Sequence, residues 1–302
     1  MLDGKVAIIS GAGRGIGRSI AEMMAAKGAK VVVNDPGVNE DGSAGDKAPA
    51  EEVVDAIKAA GGDAAPNYDS VAEFSGTTSM VDQAIKTFGR LDIIVNNAGI
   101  LRDRMFHKMS PEDWESVMSV HLGGHYNLTR AAINIFREQN SGRVINFTST
   151  SGLIGNIGQT NYGAAKMGIV SLTRILALES RKNNITVNAI APAAWTRMIA
   201  SIPVKDEAAQ KRVDNLKKMK PEHIAALAVY LASDAAQDVT GQIFGVRAGE
   251  ITVYSVPQPV KSVHKTGGWS PEDLADIAMP ALRSAFTEPQ VTTDLFPYPP
   301  MD

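Results

Sequence analysis

The chain has 302 residues, 44% of them hydrophobic and 21% charged, with a net charge of −3 and a pI near 6.0. That length suits one large domain or two small ones with ample material for a core, and the charge offers no basic field for nucleic acid or an anionic membrane surface. The absence of cysteine removes disulfides, thiolate metal sites and a cysteine nucleophile together.

The first residues, "MLDGKVAIIS", enter a strand-like run at once, so no signal peptide is expected. No apolar run approaches the roughly 20 residues of a membrane span, and the final "PYPPMD" matches no lipidation or peroxisomal address. A soluble, cytoplasmic protein is expected. Strands are predicted at 5–10, 30–35, 91–97, 143–149, 185–191 and 242–246, with a weaker candidate at 64–69. Their nearly continuous Val/Ile content suggests burial on both faces, as in a parallel sheet. Helical periodicity falls between them, at 16–28, 49–60, 75–88, 110–139, 163–182 and 221–233. This alternation predicts a doubly wound α/β sheet with right-handed crossovers. Residues 36–49, Gly- and acid-rich, read as an exposed loop. The rhythm ends after Gly249, so residues 1–250 are expected to form the domain. Residues 251–302 form an extension packed on it or at a subunit interface, with a helical piece opened by Ser270-Pro271.

The first strand leads into "SGAGRGIGRS", which opens a helix. A G-x-G-x-x-G reading from Gly11 fails, because position 16 is Ile; G-x-x-x-G-x-G through Gly11, Gly15 and Gly17 fits. Glycines there permit a tight turn and let backbone N–H groups approach a pyrophosphate at a helix N-terminus. Arg14 and Ile16 lie inside the same loop. The second strand ends at Asp35, eighteen residues after Gly17, where a carboxylate can bond both ribose hydroxyls of NAD and repel the 2′-phosphate of NADP. NAD is the expected cofactor; Arg14 keeps NADP open.

Further along, "NYGAAK" (161–166) sets Tyr162 and Lys166 four residues apart, on one face of a helix. A phenol is a poor base near neutrality, and a cation fixed beside it favours the phenolate. "NNAG" (96–99) ends the fourth strand, Ser149 ends the fifth thirteen residues before Tyr162, and "NAIAP" (188–192) ends the sixth, followed by Thr196.

In joint order and spacing, this series resembles the short-chain dehydrogenase/reductase family from residue 1 to about 250. The resemblance implies a Rossmann-like domain in which Gly11, Gly15 and Gly17, with Arg14 and Ile16, hold the pyrophosphate and Asp35 the adenosine ribose. It places Asp69 and Ser70 beside the adenine, Asn97 beside the cofactor ribose and Thr196 on the nicotinamide carboxamide. Lys166 would hold the nicotinamide ribose and lower the pKa of Tyr162, the general base; Ser149 would hydrogen-bond the substrate oxygen. His121 stands where many members carry an Asn that supports a proton relay, and it would act through its imidazole or through its backbone carbonyl alone. Pro192-Ala193 replaces the usual Pro-Gly, and Trp195 reads as a pocket wall.

A narrower likeness runs through "VVVNDPG", "NYDSV", "NNAGILRDRMF", "EDWESVMSVHLGGHYNLTRAA" and "NIGQTNYGAAK". These resemble the (3R)-hydroxyacyl-CoA dehydrogenase unit of peroxisomal multifunctional enzymes and its bacterial relatives. It implies a stand-alone enzyme oxidising a 3-hydroxyacyl-CoA or a steroid-related alcohol, with Met198, Ile199, Ile202 and Pro203 in a substrate lid. An NADPH-dependent 3-oxoacyl-carrier-protein reductase is the rival enzyme, and a catalytically inactive nucleotide sensor the rival outside catalysis. "RDR" (102–104) reads as an ion-pair cluster or a CoA-phosphate contact, and Trp269, Phe286 and Phe296 as packing or pocket residues. The five histidines show no metal-ligand spacing. Helix 163–182 is apolar on more than one face, which predicts contact with a partner subunit; the family resemblance implies a homodimer or homotetramer.

Overall fold

A computed structural model of the chain describes residues 1–39, 41–43, 48–194 and 213–301. Val6–Ser10 (β1), Lys30–Asn34 (β2), Asp63–Asn67 (β3), Ile93–Asn96 (β4), Gly142–Phe147 (β5), Ile185–Ala193 (β6), Ile243–Arg247 (β7) and Glu250–Val253 (β8) form one sheet in the order β3-β2-β1-β4-β5-β6-β7-β8. The first seven strands pair in parallel; β8 returns antiparallel to β7, from Arg247↔Glu250 to Phe244↔Val253. The strand predicted weakly at 64–69 is β3, and the apolar runs are the central strands. The eighth strand carries the sheet past residue 250, so the extension begins as a sheet edge.

Alternation along each strand divides the core between the two faces. Ala7, Ile9, Val31, Val33, Val95 and Ile145 face one side. There they pack beneath Gly15–Ala26 (α1), Ala48–Ala59 (α2) and Pro221–Ala232, the helix before β7. Val6, Ile8, Val32, Ile94 and Val144 face the other side. Phe74–Phe88 (α3), Gly124–Gln139 (α5) and Thr160–Ser180 (α7) cover them with Met80, Leu128, Phe136 and Ala177. Both faces are covered, which is why the strands read as unbroken apolar runs.

The helix predicted over 110–139 is broken. Pro111–Met118 (α4) starts from a capping box in which Ser110 accepts from the Asp113 amide and Asp113 accepts from the Ser110 amide. It passes into a π-turn at Ser119–Gly123 before α5 resumes. The short helix Thr150–Leu153 (α6) follows β5, capped by the Ser149 hydroxyl. Past β8, a capping box at Ser270 opens the helical stretch 271–285. No described helix is long and apolar enough to cross a membrane.

Between β2 and β4 lies β1, and the connections leave in opposite directions there. This is the topological switch point, where doubly wound sheets open a crevice at the carboxyl ends of their strands.

Candidate active site

The glycine turn stands at that crevice. Gly11 and Gly15 have positive φ (64° and 52°), which a side chain would strain. A Cβ on Gly17 would collide with the Gly11 carbonyl, so the turn closes only with glycine there. Gly15 meets nothing within 4 Å, leaving open space over the N-terminus of α1. Asp35 braces the turn from outside: its carboxylate accepts from the Gly13 amide at 3.0 Å and from the Gly37 amide at 2.8 Å. Asn97 braces it from β4, donating from Nδ2 to the carbonyls of Ser10 and Gly11, both at 3.0 Å.

From here a cavity of about 440 Å³ extends along Gly11, Arg14, Asp35, Ser70, Asn97 and Ile100. Gly-turn amides at a helix N-terminus, a carboxylate at the end of β2 and a groove of this length fit a dinucleotide. Among the residues expected there, Ile16 packs partly buried against the core instead. The Asp69 carboxylate accepts from Asn67 Nδ2 at 2.9 Å, and Ser70 takes the cavity wall beside it. Trp195, Thr196, Met198, Ile199, Ile202 and Pro203 lie outside the described residues.

Beyond the cavity wall at Gly99–Ile100 sits the second cluster. A Cβ on Gly99 would collide with the His121 ring, so this glycine makes room for the imidazole. The His121 and Tyr162 rings meet edge to face, with centroids 5.1 Å apart. Lys166 is buried one helical turn beyond Tyr162, its Nζ 5.5 Å from the Tyr162 ring centroid. Ser149 caps α6 at the end of β5, and the hydrogen bond between its side chain and Tyr162 favours the phenolate. Ser149, Tyr162, Lys166 and His121, distant in sequence, thus come together.

The electrostatics differ from the expectation. Burial pushes the Tyr162 phenol above its ordinary value; Ser149 draws it down and Asp103 adds to the rise. Lys166 does not offset this, for two reasons. Burial lowers its own pKa to about 7, and its nearest partner is the Phe147 carbonyl, at 2.6 Å.

His121 is pushed well below its ordinary value, first by burial and then by Lys166, and is therefore neutral. Its Nε2 lies 2.8 Å from the Ile100 carbonyl oxygen, and its Nδ1 is buried without a hydrogen-bond partner. Its own backbone carbonyl is already taken by His125 Nδ1 at 2.6 Å.

Several supporting residues escaped the sequence reading. Asn161, fully buried, donates to the carbonyls of Arg102 and Asp113 and accepts from the Tyr162 amide, which ties the start of α7 to the loop before α4. Thr148 Oγ1 donates to the Lys166 carbonyl at 2.7 Å. Asn96, Asn146 and Thr173 form a buried ladder from β4 through β5 to α7. The Asn pair at 96–97, at the end of β4, was the available signal for the ladder.

Arg102 donates to the Asp41 carbonyl and pairs with Asp113 at 3.7 Å, as an ion-pair cluster would. In the tail, Phe296 lines a second cavity of about 890 Å³ with Thr150, Tyr254 and Tyr298, and Thr292 reaches Thr150 at 3.1 Å. Phe286 is 60% exposed, and Trp269 stacks against Lys265. On α7, Ile175 and Leu178 are 51% and 73% exposed. Among the described residues, no three metal-ligating side chains gather.

Comparison with known proteins accords with this geometry. The family model described as short chain dehydrogenase matches residues 5–207. Hydroxyacyl-CoA dehydrogenase ChsB1 of Mycobacterium tuberculosis is 38% identical, covering 90% of this chain and 87% of its own. Peroxisomal multifunctional enzyme type 2 of Mus musculus is 43% identical over 82% of this chain, which spans only 32% of that enzyme. A crystal structure of a short chain dehydrogenase from Mycobacterium avium superposes with a TM-score of 0.82 at 40% identity, covering 96% of this chain and 98% of that one.

Proposed function

The chain belongs to the short-chain dehydrogenase family of oxidoreductases acting on CH–OH groups, and from that premise we propose that it oxidises the 3-hydroxyl of an acyl-CoA thioester or of a steroid-related acyl group, with NAD as acceptor. The observation that carries this reading is the meeting of Ser149, Tyr162 and Lys166 just past the end of a cavity that begins at the glycine turn. The relatives named for hydroxyacyl-CoA and for peroxisomal multifunctional activity support the substrate class.

Each residue then has a distinct task. Ser149 donates to the substrate oxygen and steadies the charge that develops there. Tyr162 takes the hydroxyl proton in oxidation and returns it in reduction. Lys166 holds the cofactor ribose and, when charged, favours the phenolate. Gly11, Gly15 and Gly17 hold the pyrophosphate, and Asp35 the adenosine ribose. The cofactor, when bound, supplies the hydride acceptor.

The cavity of about 890 Å³ beside Thr150 is wide and largely apolar in its lining, which suits an acyl or ring system. Ile175 and Leu178 on α7, with Tyr126 on α5, support assembly with a second copy. The lack of cysteine fits a cytoplasmic setting. A second reading, NADPH-dependent reduction of a 3-oxoacyl group on a carrier protein, is favoured by one observation: Arg14 lines the cofactor cavity along with Asp35. Reduction of NAD and of NADP, measured against 3-hydroxyacyl-CoAs of several lengths and against hydroxysteroids, separates the two.

A further inference from the structure

Just past the π-turn stands a second histidine that the chemistry above does not use. His125 is 1% exposed, at the start of α5. Its Nδ1 lies 2.6 Å from the His121 carbonyl oxygen, and its Nε2 accepts from the Phe147 amide at 3.2 Å. A carbonyl only accepts and an amide only donates, so one tautomer satisfies both: a neutral ring with its proton on Nδ1.

Phe147 is the last residue of β5, and its carbonyl receives Lys166 Nζ. The peptide after it is fixed by the Thr148 amide, which donates to Ile190 in β6 at 2.9 Å. The N–H of the peptide before it donates to His125 Nε2 at 3.2 Å. In the other direction His121 Nε2 reaches the Ile100 carbonyl, at the wall of the cofactor cavity. Buried hydrogen bonds therefore link Ile100, His121, His125, Phe147 and Lys166. π-turns inside α-helices recur at functional sites, where they re-aim backbone groups; here the turn aims the His121 carbonyl at His125.

We propose that His125 is a positioning residue for Lys166: it grips the Phe147 amide from the start of α5 and, together with the Thr148 amide bond to Ile190, places the Phe147 carbonyl on which Lys166 Nζ rests. The inference depends on the functional reading only for the consequence of moving Lys166. With the grip lost, the Phe147 carbonyl is held through the Thr148 amide, its distance to Nζ is fixed less closely, and the lysine keeps its proton less well. The titratable groups packed against Lys166 are His121, His125 and Tyr162, with Asp103 acting on Tyr162.

Two substitutions separate positioning from filling. His125→Asn can donate to the His121 carbonyl but does not reach the Phe147 amide. His125→Gln reaches that amide with its carbonyl oxygen. Both keep a polar amide at the site. The titration of Lys166, followed by NMR at its side-chain carbons and assigned with Lys166→Gln, needs neither cofactor nor substrate. His125→Asn is expected to lower the Lys166 midpoint and to cut kcat by about tenfold to a hundredfold, the scale of a misplacement near 1 Å. His125→Gln is expected to restore most of both. Equal Lys166 titrations in the two variants would overturn the proposal, as would an Asn variant that titrates like the parent. Should His125→Asn not fold, His125→Gln decides alone: a Lys166 midpoint displaced from the parent's contradicts the grip. If the parent oxidises no alcohol, the functional reading fails while the titration still judges His125.

Discussion

Lys166 Nζ donates to the Phe147 carbonyl at 2.6 Å and stands 5.5 Å from the Tyr162 ring centroid, so the lysine is anchored to β5 before it is presented to the tyrosine. Removing it has two consequences. Lys166→Ala leaves a buried carbonyl without a donor, a loss of about 1–3 kcal/mol. It also removes the group assigned to the cofactor ribose. Chemical denaturation should register the first, and fluorescence titration with NADH the second. Native-like affinity for NADH in Lys166→Ala would remove Lys166 from the cofactor site.

Cofactor choice should follow Asp35. Its two oxygens already accept from Gly13 and Gly37, which holds the carboxylate at the mouth of the cavity. A 2′-phosphate brought there meets a like charge, whereas ribose hydroxyls gain a charge-assisted bond. NAD should be preferred by a few kcal/mol on that balance, and Asp35→Ser should narrow the preference. Equal kcat/KM for NAD and NADP in the parent protein would refute the assignment.

Acid should weaken the fold through the buried histidines. Burial, with Lys166 nearby, pushes His125 down to about 3 from 6.5 and lowers His121 in the same direction. Between pH 6.5 and about 3 the unfolded chain binds the His125 proton and the folded chain does not, so stability falls as pH drops through that window. The slope from one such group approaches about 1.4 kcal/mol per pH unit. Urea midpoints measured from pH 7 to 4 should fall less steeply in His125→Gln than in the parent; identical slopes would mean that His125 is not held neutral.

The legible parts of this molecule were those set by local pattern. Apolar runs such as "KVVVN" are strands because both sheet faces bury them, and the glycines of 11–17 mark a turn that admits no Cβ at Gly17. The meeting of Ser149, Tyr162 and Lys166 was legible through the family resemblance that the order and spacing of the motifs carry. What stayed hidden depends on tertiary partners. A helical period over 110–139 cannot report one extra residue per turn at Ser119–Gly123. Four residues of β8 are too few for an alternation, and only pairing with β7 makes them a strand. His125 showed nothing beyond the lack of metal-ligand spacing among the histidines, since nothing local shows that the Phe147 amide comes to meet it. The effect of burial on Tyr162 and Lys166 was hidden for the same reason: the separation of two residues on a helix does not reveal how deeply both are buried.

The tail should affect substrate more than fold, provided that β8 is kept. A chain ending at Gly249 would lose that strand, and with it the pairs from Arg247↔Glu250 to Phe244↔Val253. Ending at Val256 retains them, along with the packing of Tyr254 and Val256 on Val170, Ala189 and Ile243. It removes Phe296 and Tyr298 from the cavity beside Thr150, and from their stacking on Arg247. The truncated protein should fold and bind NADH while KM rises for long-chain 3-hydroxyacyl-CoA. Unchanged KM would exclude the tail from the substrate site.

The most direct test is steady-state NAD reduction with a long-chain 3-hydroxyacyl-CoA, run side by side on the parent protein and on Tyr162→Phe. The ring keeps nearly all its volume, so thermal unfolding and NADH binding should match the parent, while kcat falls by about 10²–10⁴, the contribution expected of a positioned acid–base group. Activity retained within about tenfold in Tyr162→Phe, or a parent protein that reduces no NAD with any acyl-CoA or steroid alcohol, would contradict the account.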